Sequence, residues 1–241
     1  MIKNYKKLAF TLAEVLIVIG IIGIVAAITI PTLITNYQKK AWVVQLKKNA
    51  NFVTNSLRQV IAMENVSNLC ESSVAYCNSY SKDVNVYLVG ESYGKLLRLS
   101  EAPETSEFSQ AVCSQQNACG KASPNGEKWV KPFMLNDGSC VAPITLGYGE
   151  GYIASYGFIV DVNCDKKPNV WGYDRFAIQF NEHGAIIPAE NGSADDAELA
   201  EALEPYCGKK LAEEDGLSGI DGLIGSVCYE KIKKDGWKIN Y

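Results

Sequence analysis

The sequence predicts an α+β protein in which one long N-terminal helix, half membrane anchor and half amphipathic, packs on a small antiparallel sheet in a disulfide-linked head. Three observations lead to this fold class. An apolar run fills residues 10–34, and apolar residues then recur at helical spacing to about residue 64. Beyond it, short β-branched and aromatic segments alternate with turn residues. All eight cysteines lie in this last part of the chain.

The apolar run has the length of a membrane span, because residues 10–34 exceed the roughly 20 residues that cross a bilayer. Lys3, Lys6 and Lys7 precede it, which places the N-terminus on the cytoplasmic side and the rest of the chain outside. Glu14 lies inside the run, where a charge costs about 3 kcal/mol and usually has a function. We therefore expect Glu14 to have a partner.

Two simpler interpretations compete with a functional segment. A secretory signal peptide would be cleaved after Val25-Ala26-Ala27, and a plain single-pass anchor would not be cleaved at all. Neither interpretation explains Glu14. Four lysines also follow the span on the side that should be external, against the usual distribution of positive charge. They are Lys39, Lys40, Lys47 and Lys48.

The helix is predicted to continue from Phe10 to about Glu64, because apolar residues recur at steps of three and four beyond Pro31. The positions of this stripe are Ile34, Tyr37, Ala41, Val44, Leu46, Ala50, Val53, Leu57, Val60 and Ile61. Pro31 has no amide donor, so it should kink or loosen the helix near Ala27. In a packed bundle, neighbouring helices can satisfy the carbonyl group that this frees.

The head begins with a polar region, residues 65–131, which we expect to be a connecting segment pinned by disulfides. Strand signals follow, separated by turns such as Asn136-Asp137-Gly138. An antiparallel sheet of four or five strands is predicted, from the segments Phe133–Leu135, Ser139–Ile144, Tyr152–Val162, Phe176–Phe180 and Ala185–Ile187. Asp195 to Leu203 should form a short exposed helix, and Trp237 and Tyr241 should pack against the sheet.

The cysteines are Cys70, Cys77, Cys113, Cys119, Cys140, Cys164, Cys207 and Cys228. No two of them form the C-x-x-C pair that is typical of zinc or redox sites. An even number in a translocated head predicts disulfides, with reduced buried thiols as the alternative. Eight cysteines allow 105 pairings, which the sequence alone does not resolve. Our preferred set is Cys70–Cys77, Cys113–Cys119, Cys140–Cys164 and Cys207–Cys228. The last would close a Gly-rich loop that should lose order first on reduction.

No catalytic set is visible in the sequence. The single histidine, His183, lies beside a turn glycine, and the Gly147–Gly151 segment lacks the spacing of a phosphate-binding loop. The net charge is −4, and without the first three lysines the chain has 20 basic against 27 acidic residues. An acidic head argues against a general phosphate-binding surface. We therefore expect neither enzymatic activity nor nucleic-acid binding.

The segment Ala9-Phe10-Thr11-Leu12-Ala13-Glu14, the apolar run behind it and Pro31 together resemble the N-terminus of type IV pilins and type II secretion pseudopilins. The resemblance implies that a prepilin peptidase cleaves between Ala9 and Phe10 and methylates the new Phe10 amine. Ala9 stands where the family usually has glycine. Glu14 and Pro31 become assembly residues, with Glu14 paired to the Phe10 amine of a neighbouring subunit. The implied segments are a leader (1–9), a transmembrane and assembly helix (10–34), an amphipathic half-helix (35–66) and a globular head (67–241).

The segment from Asp161 to Phe176 resembles a D-x-N-G…P-N…G-x-D-x-F segment in the heads of pseudopilin-like proteins, with Cys164 in place of the glycine. Some heads of that family hold calcium, and calcium prefers oxygen ligands. The candidate ligands are Asp161, Asn163, Asp165 and Asp174. The segment is not an EF-hand, because Lys166 and Gly172 replace the required glycine and glutamate. The alternative is a loop in which these side chains cap backbone donors.

The sequence therefore indicates a structural subunit of a type II secretion pseudopilus or a related type IV-like filament. The resemblance implies other pilin or pseudopilin subunits, a prepilin peptidase, and an inner-membrane assembly platform with its ATPase as partners. The chain should span the inner or cytoplasmic membrane once, with its head outside the cytoplasm, before joining an envelope-spanning or cell-surface filament. A type IV pilus or DNA-uptake pilin is the alternative, and only then is nucleic acid expected as a partner. A membrane-anchored extracytoplasmic binding domain is a second, more distant alternative.

Overall fold

A single long helix forms the N-terminal part of the fold. The structure is a computed structural model, and it describes residues 11–80, 83–114, 119, 123, 125–146, 155–188, 196–210 and 221–241. Helix α1 runs from Leu12 to Glu64 and is continuous through Pro31. The chain divides into two compact units, residues 1–40 and residues 41–241, and α1 contributes to both. We call them the anchor unit and the head unit. The predicted long N-terminal helix is confirmed.

A six-stranded antiparallel sheet forms the centre of the head unit. Its strands are β3 (Ser100–Glu101), β4 (Phe133–Met134), β5 (Cys140–Leu146), β6 (Ser155–Asp161), β7 (Arg175–Phe180) and β8 (Ile186–Ile187). They lie side by side in the order of the chain. The predicted α+β class is confirmed. The sheet has one strand more than the five predicted segments; this additional strand, β3, has only two residues, too few to produce a strand pattern in the sequence. A separate hairpin, β1 (Ala75–Tyr80) and β2 (Asp83–Leu88), lies in the region that was expected to be a connecting segment.

The part of the predicted apolar stripe from Leu46 to Val60 packs on one face of this sheet; Val44, also predicted in the stripe, is exposed, and Val43 is buried instead. The buried side chains are Val43, Leu46, Ala50, Val53, Leu57 and Val60 from α1, and Phe133, Val141, Phe158, Val160, Phe176 and Ile178 from the strands. Strand β6 alternates, so that Phe158 and Val160 face this core while Ile159 faces the opposite side of the sheet. Burying one such side chain contributes roughly 1.5–3 kcal/mol. This packing therefore holds the head on its helix.

A small polar network joins α1 to the β4–β5 turn. Lys48 Nζ lies 2.7 Å from Asp137 Oδ2. The Ser139 hydroxyl donates to Asn49 Oδ1 at 3.1 Å and to Asp137 Oδ1 at 2.6 Å. Burial alone would raise the pKa of Asp137, but the Lys48 ammonium and the Ser139 donors outweigh it and lower the pKa to about 2. The turn is thus fixed to the helix by charge as well as by packing.

The second face of the sheet is also covered. Helix α3 (Glu107–Ser114) lies on it, with Phe108 and Val112 packed against Ile159 and Ala177. Helix α2 (Gly90–Leu97), by contrast, contributes Tyr93 to the main core. A short helix, α4 (Asp196–Leu203), lies where the sequence predicted it. Trp237 and Tyr241, near the C-terminus, are half-buried against the main core.

The segment between Cys207 and Cys228 corrects the sequence interpretation of a loosely packed Gly-rich loop. Helix α5 (Asp221–Lys234) occupies its C-terminal part, and residues 211–220 lie outside the described residues. Leu223, Ile224 and Val227 of α5 are buried. Gly225 allows the helix to approach the sheet closely, since a Cβ atom there would lie 2.6 Å from the Trp171 ring and 2.8 Å from the Ala177 nitrogen.

Four disulfides link the cysteines of the head unit. The structure joins Cys70 to Cys77, Cys113 to Cys119, Cys140 to Cys164 and Cys207 to Cys228. These are the four pairs that the sequence analysis preferred, and no cysteine is free. The third bond connects the start of β5 to the loop that follows β6, and both of its cysteines are buried.

Candidate assembly segment and head loop

The first half of α1 carries almost all of the exposed apolar surface in the part of the chain that the structure describes. Every exposed large apolar side chain there belongs to α1, and all except Val44 and Met63 lie between Leu12 and Tyr37. Among the described residues, α1 is also the one helix that is long and apolar enough to cross a membrane. A surface of this kind requires lipid or protein around it. By length and composition, this part of α1 fits a membrane anchor.

Glu14 has a partner within its own helix, which the sequence analysis overlooked. The Thr11 backbone nitrogen donates to Glu14 Oε2 at 2.8 Å, and the Thr11 hydroxyl donates to the same oxygen at 2.9 Å. In return, the Glu14 nitrogen donates to the Thr11 hydroxyl oxygen at 3.2 Å. Thr11 precedes the first helical residue, so the two form a capping box at the helix N-terminus. The Thr-x-x-Glu spacing is visible in the sequence and is the signal that was missed.

The capping box leaves part of the carboxylate available. Within the described residues Glu14 Oε1 accepts no hydrogen bond, and the Glu14 side chain is exposed in the isolated chain. The predicted pairing with a neighbouring Phe10 amine therefore stays a prediction. Ala9 and Phe10, the predicted cleavage and methylation positions, lie outside the described residues. Pro31 lies in the apolar part of α1, and its side chain is exposed in the isolated chain.

The loop between β6 and β7 is organised around the buried carboxylate of Asp174. Its Oδ1 accepts from the Val170 nitrogen at 2.7 Å, and its Oδ2 accepts from the Asn169 nitrogen at 2.8 Å and from Asn163 Nδ2 at 3.2 Å. Asp165 Oδ1 accepts from the backbone nitrogen of the first turn of α3, that of Phe108, at 3.1 Å. Side chains of this loop thus cap backbone donors, as the alternative to metal binding predicted.

The carboxylate of Asp161 forms a salt bridge with the guanidinium group of Arg175. The Nε atom of Arg175 lies 2.8 Å from Asp161 Oδ2, and the Asp161 side chain is fully buried. Burial raises the pKa of Asp161, and the Arg175 guanidinium, which favours the carboxylate, only partly offsets this effect. Asp161 Oδ1 also accepts from the Asn163 nitrogen at 3.2 Å.

These contacts do not fit the predicted calcium site. Three of the four candidate ligands are already engaged by protein donors: Asp161 by the Arg175 guanidinium, and Asp165 and Asp174 by backbone nitrogens. The fourth, Asn163, donates its Nδ2 to Asp174, and its Oδ1 is buried without a hydrogen-bond partner among the described residues. In the described ranges, no three His, Cys, Asp or Glu side chains are grouped as metal ligands. An ion bound to Asp161 would have to compete with the Arg175 guanidinium, so we assign these residues a structural role.

Comparison with known proteins gives one match. Residues 4–30 match the family model of the prokaryotic N-terminal methylation motif. Neither the curated proteins nor the solved structures include a significant match to the chain. The match covers the segment in which the structure places the exposed apolar helix and the Thr11–Glu14 capping box. Residues 4–30 of this chain are therefore the prepilin-type signal of the type IV pilins and pseudopilins.

Proposed function

We propose that this protein is a structural subunit of a type II secretion pseudopilus or a closely related type IV-like filament. The observation that carries the proposal is the exposed apolar half of α1 with one carboxylate, Glu14, near its start. The Thr11–Glu14 capping box uses one oxygen of this carboxylate, while the other accepts no hydrogen bond within the described residues and is available to a partner that offsets the cost of a charge in the span. In a helix that later packs against copies of itself, the apolar surface forms the contact and the carboxylate binds the amine of a neighbouring subunit.

The chemistry of processing makes assembly conditional. In the precursor Phe10 is part of a peptide bond and carries no charge. Cleavage between Ala9 and Phe10 creates an amine with a typical pKa of about 7.7–8.0, which is largely protonated at neutral pH. The Glu14 carboxylate of a neighbouring subunit pairs with this amine in a medium of low dielectric, where either charge alone is strongly unfavourable. Subunits therefore attract one another only after the leader has been removed.

The resemblance supplies the remaining partners in this proposal. They are a prepilin peptidase, other subunits of the filament, and an inner-membrane platform with its ATPase. The likeness of the Asp161–Phe176 segment to pseudopilin heads favours a secretion machine over a type IV pilus or DNA-uptake pilin. Deleting the gene and measuring secreted proteins, surface pili and DNA uptake in parallel separates these machines.

The test of the mechanism is the substitution Glu14→Leu, with Glu14→Gln as the uncharged variant of similar size and Val18→Leu as the control in the same apolar segment. Both Glu14 variants should insert into the membrane and fold their heads normally. They should yield few filaments, because the partner of the Phe10 amine is gone. Filament yield is measured in the sheared surface fraction or by cysteine crosslinks between anchor helices. A normal yield from Glu14→Leu would refute the pairing mechanism.

Processing is tested separately by intact mass and N-terminal peptide sequencing. The mature protein should begin with N-methylated Phe10. A chain that begins at Ile28 would establish cleavage as an ordinary signal peptide and exclude a filament subunit, since the apolar half of α1 would be lost.

A further inference from the structure

The first turns of α1 in the head unit are surrounded by aromatic side chains from later segments. The Trp42 ring lies 6.1 Å from the Tyr173 ring, which stacks on Tyr241 at 5.9 Å. The Lys47 ammonium lies 4.7 Å from the centre of the Trp237 ring. All four rings are half-buried, so each keeps part of its surface in solvent. These side chains mark the end of the head unit from which α1 continues into the anchor.

Three exposed lysines adjoin these rings, or a residue that contacts them, in the sequence. Lys238 directly follows Trp237, while Lys209 and Lys210 follow Gly208. Gly208 touches the aromatic cluster, since a Cβ atom there would lie 2.6 Å from the Tyr241 ring. We define the basic surface as Lys47, Lys209, Lys210 and Lys238.

The four lysines of the basic surface form no ion pairs within the described part of the chain. Two described carboxylates, Glu204 and Asp235, lie near enough to act on Tyr241, and both pair with Lys231. An acidic run, Glu213–Asp215, follows Lys210 in the sequence and lies outside the described residues. A test must therefore measure the accessibility of the lysines themselves.

We propose that the basic surface binds the anionic headgroups of phospholipids in the outer leaflet while the subunit is still anchored in the membrane. The proposal rests on the proposed function, because only an anchored head faces a bilayer. Lysines near an anionic membrane are attracted to it, and the amphipathic rings of Trp and Tyr favour the membrane–water interface. Since the chain as a whole is acidic, a local surface of opposite sign turns this end of the head towards the bilayer.

Nucleic acid also presents phosphate groups, but the observations favour lipid. Lys47 lies in the first turns of α1 in the head unit, Gly208 before Lys209 contacts the ring of Tyr241, and the half-buried rings of this cluster match an interface with one apolar and one wet side. A long polyanion would extend past these four lysines onto the rest of an acidic head, where it gains no counterion release. The proposal also gives a role to lysines that follow the span against the usual charge distribution, such as Lys47.

The experiment uses the full chain in vesicles of phosphatidylcholine, with and without phosphatidylglycerol. An amine-reactive reagent labels the exposed lysines, and mass spectrometry gives the rate at each position. In the anionic vesicles we expect Lys209, Lys210 and Lys238 to react about fivefold more slowly. Lys128, exposed elsewhere on the head, should react equally in both. The protection should disappear in about 1 M salt, where the Debye length is about 3 Å.

Two double variants sharpen the result. Lys209→Gln with Lys210→Gln should reduce the protection of Lys238, whereas Arg58→Gln with Lys128→Gln removes the same charge from exposed positions elsewhere and should leave it unchanged. Equal labelling of Lys238 in neutral and anionic vesicles would overturn the proposal.

Two further outcomes are informative. Equal or stronger protection of the basic surface by duplex DNA, added to neutral vesicles, would assign it to nucleic acid and overturn the lipid proposal. Flotation of the chain with neutral vesicles tests the anchor by itself. A chain that does not float would refute the proposed function, and a chain that floats but shows no protection would refute only the lipid proposal.

Discussion

Replacing Asp174 with asparagine should destabilise the head by about 3 kcal/mol. The Asp174 side chain is fully buried, and its two oxygens accept hydrogen bonds from the backbone nitrogens of Val170 and Asn169 and from the Asn163 side chain. An asparagine has the same shape but only one acceptor oxygen. Its amide group would face a backbone donor that it cannot satisfy.

The magnitude follows from these contacts. A hydrogen bond to a charged group contributes roughly 1.5–3 kcal/mol, and an unsatisfied buried donor costs about 1–3 kcal/mol. At least one bond of the first kind is lost and one donor of the second kind is created at position 174. With a urea m-value of about 2 kcal/mol/M, a loss of about 3 kcal/mol lowers the unfolding midpoint by about 1.5 M.

The assay is urea unfolding of the full chain in detergent, followed by tryptophan fluorescence. All four tryptophans lie in the head unit, so the signal reports on the head alone. Asp165→Asn is the matched control, because Asp165 is exposed and its one hydrogen bond, to the Phe108 nitrogen, survives in an amide. We expect it to change stability by less than about 0.5 kcal/mol. A wild-type midpoint that rises with calcium, and ceases to do so in both variants, would refute the structural role.

Three further predictions follow from the head unit. Gly94→Ala should lower the melting temperature, since a Cβ atom there would lie 2.3 Å from the Phe133 ring in the core; an unchanged value by calorimetry would mean that the ring can move away. The pKa of Asp137 is about 2 in the folded protein and about 3.9 in an unfolded chain. The stabilisation that this carboxylate contributes should therefore be complete above pH 4 and lost as the pH falls through 2. The variant Asp137→Asn should therefore flatten the dependence of unfolding free energy on pH in this window. Replacing Cys207 and Cys228 by alanine should cost about 3 kcal/mol in the chain-entropy account of a 22-residue loop. Helix α5 is buried, so its amides should still exchange slowly in this variant. Fast exchange in α5 together with slow exchange in the sheet would instead indicate that the segment before Cys228 behaves as the loosely packed loop predicted from the sequence.

Strong periodic signals allowed the main elements to be predicted from the sequence. The apolar stripe predicted α1 to Glu64, where the helix ends, because one face of the helix had to be buried against a sheet. The turn Asn136-Asp137-Gly138 and the β-branched segments around it predicted β5, β6 and β7 for the same reason.

Some elements with short or ambiguous sequence signals could not be predicted. Helix α2 begins after Val89, which offers no side-chain cap, so nothing in the sequence marks its start. Glycines before Cys228 indicated a loop. Gly225 instead belongs to helix α5, where Trp171 lies so close that only glycine fits without a shift. The partner of Glu14 was sought in another subunit, while Thr11, three residues before it, was overlooked.

The order of the disulfides along the chain has a consequence for how the protein is made. Each cysteine bonds to the next one or the previous one in the sequence, so that no bond encloses another or overlaps it. A head that leaves the membrane from its N-terminal end exposes the members of each pair in turn. Joining every cysteine to the next that emerges produces the native set, and no wrong bond has to be broken and exchanged afterwards. The covalent framework of the head can therefore be completed during export, in one pass, by an oxidant alone.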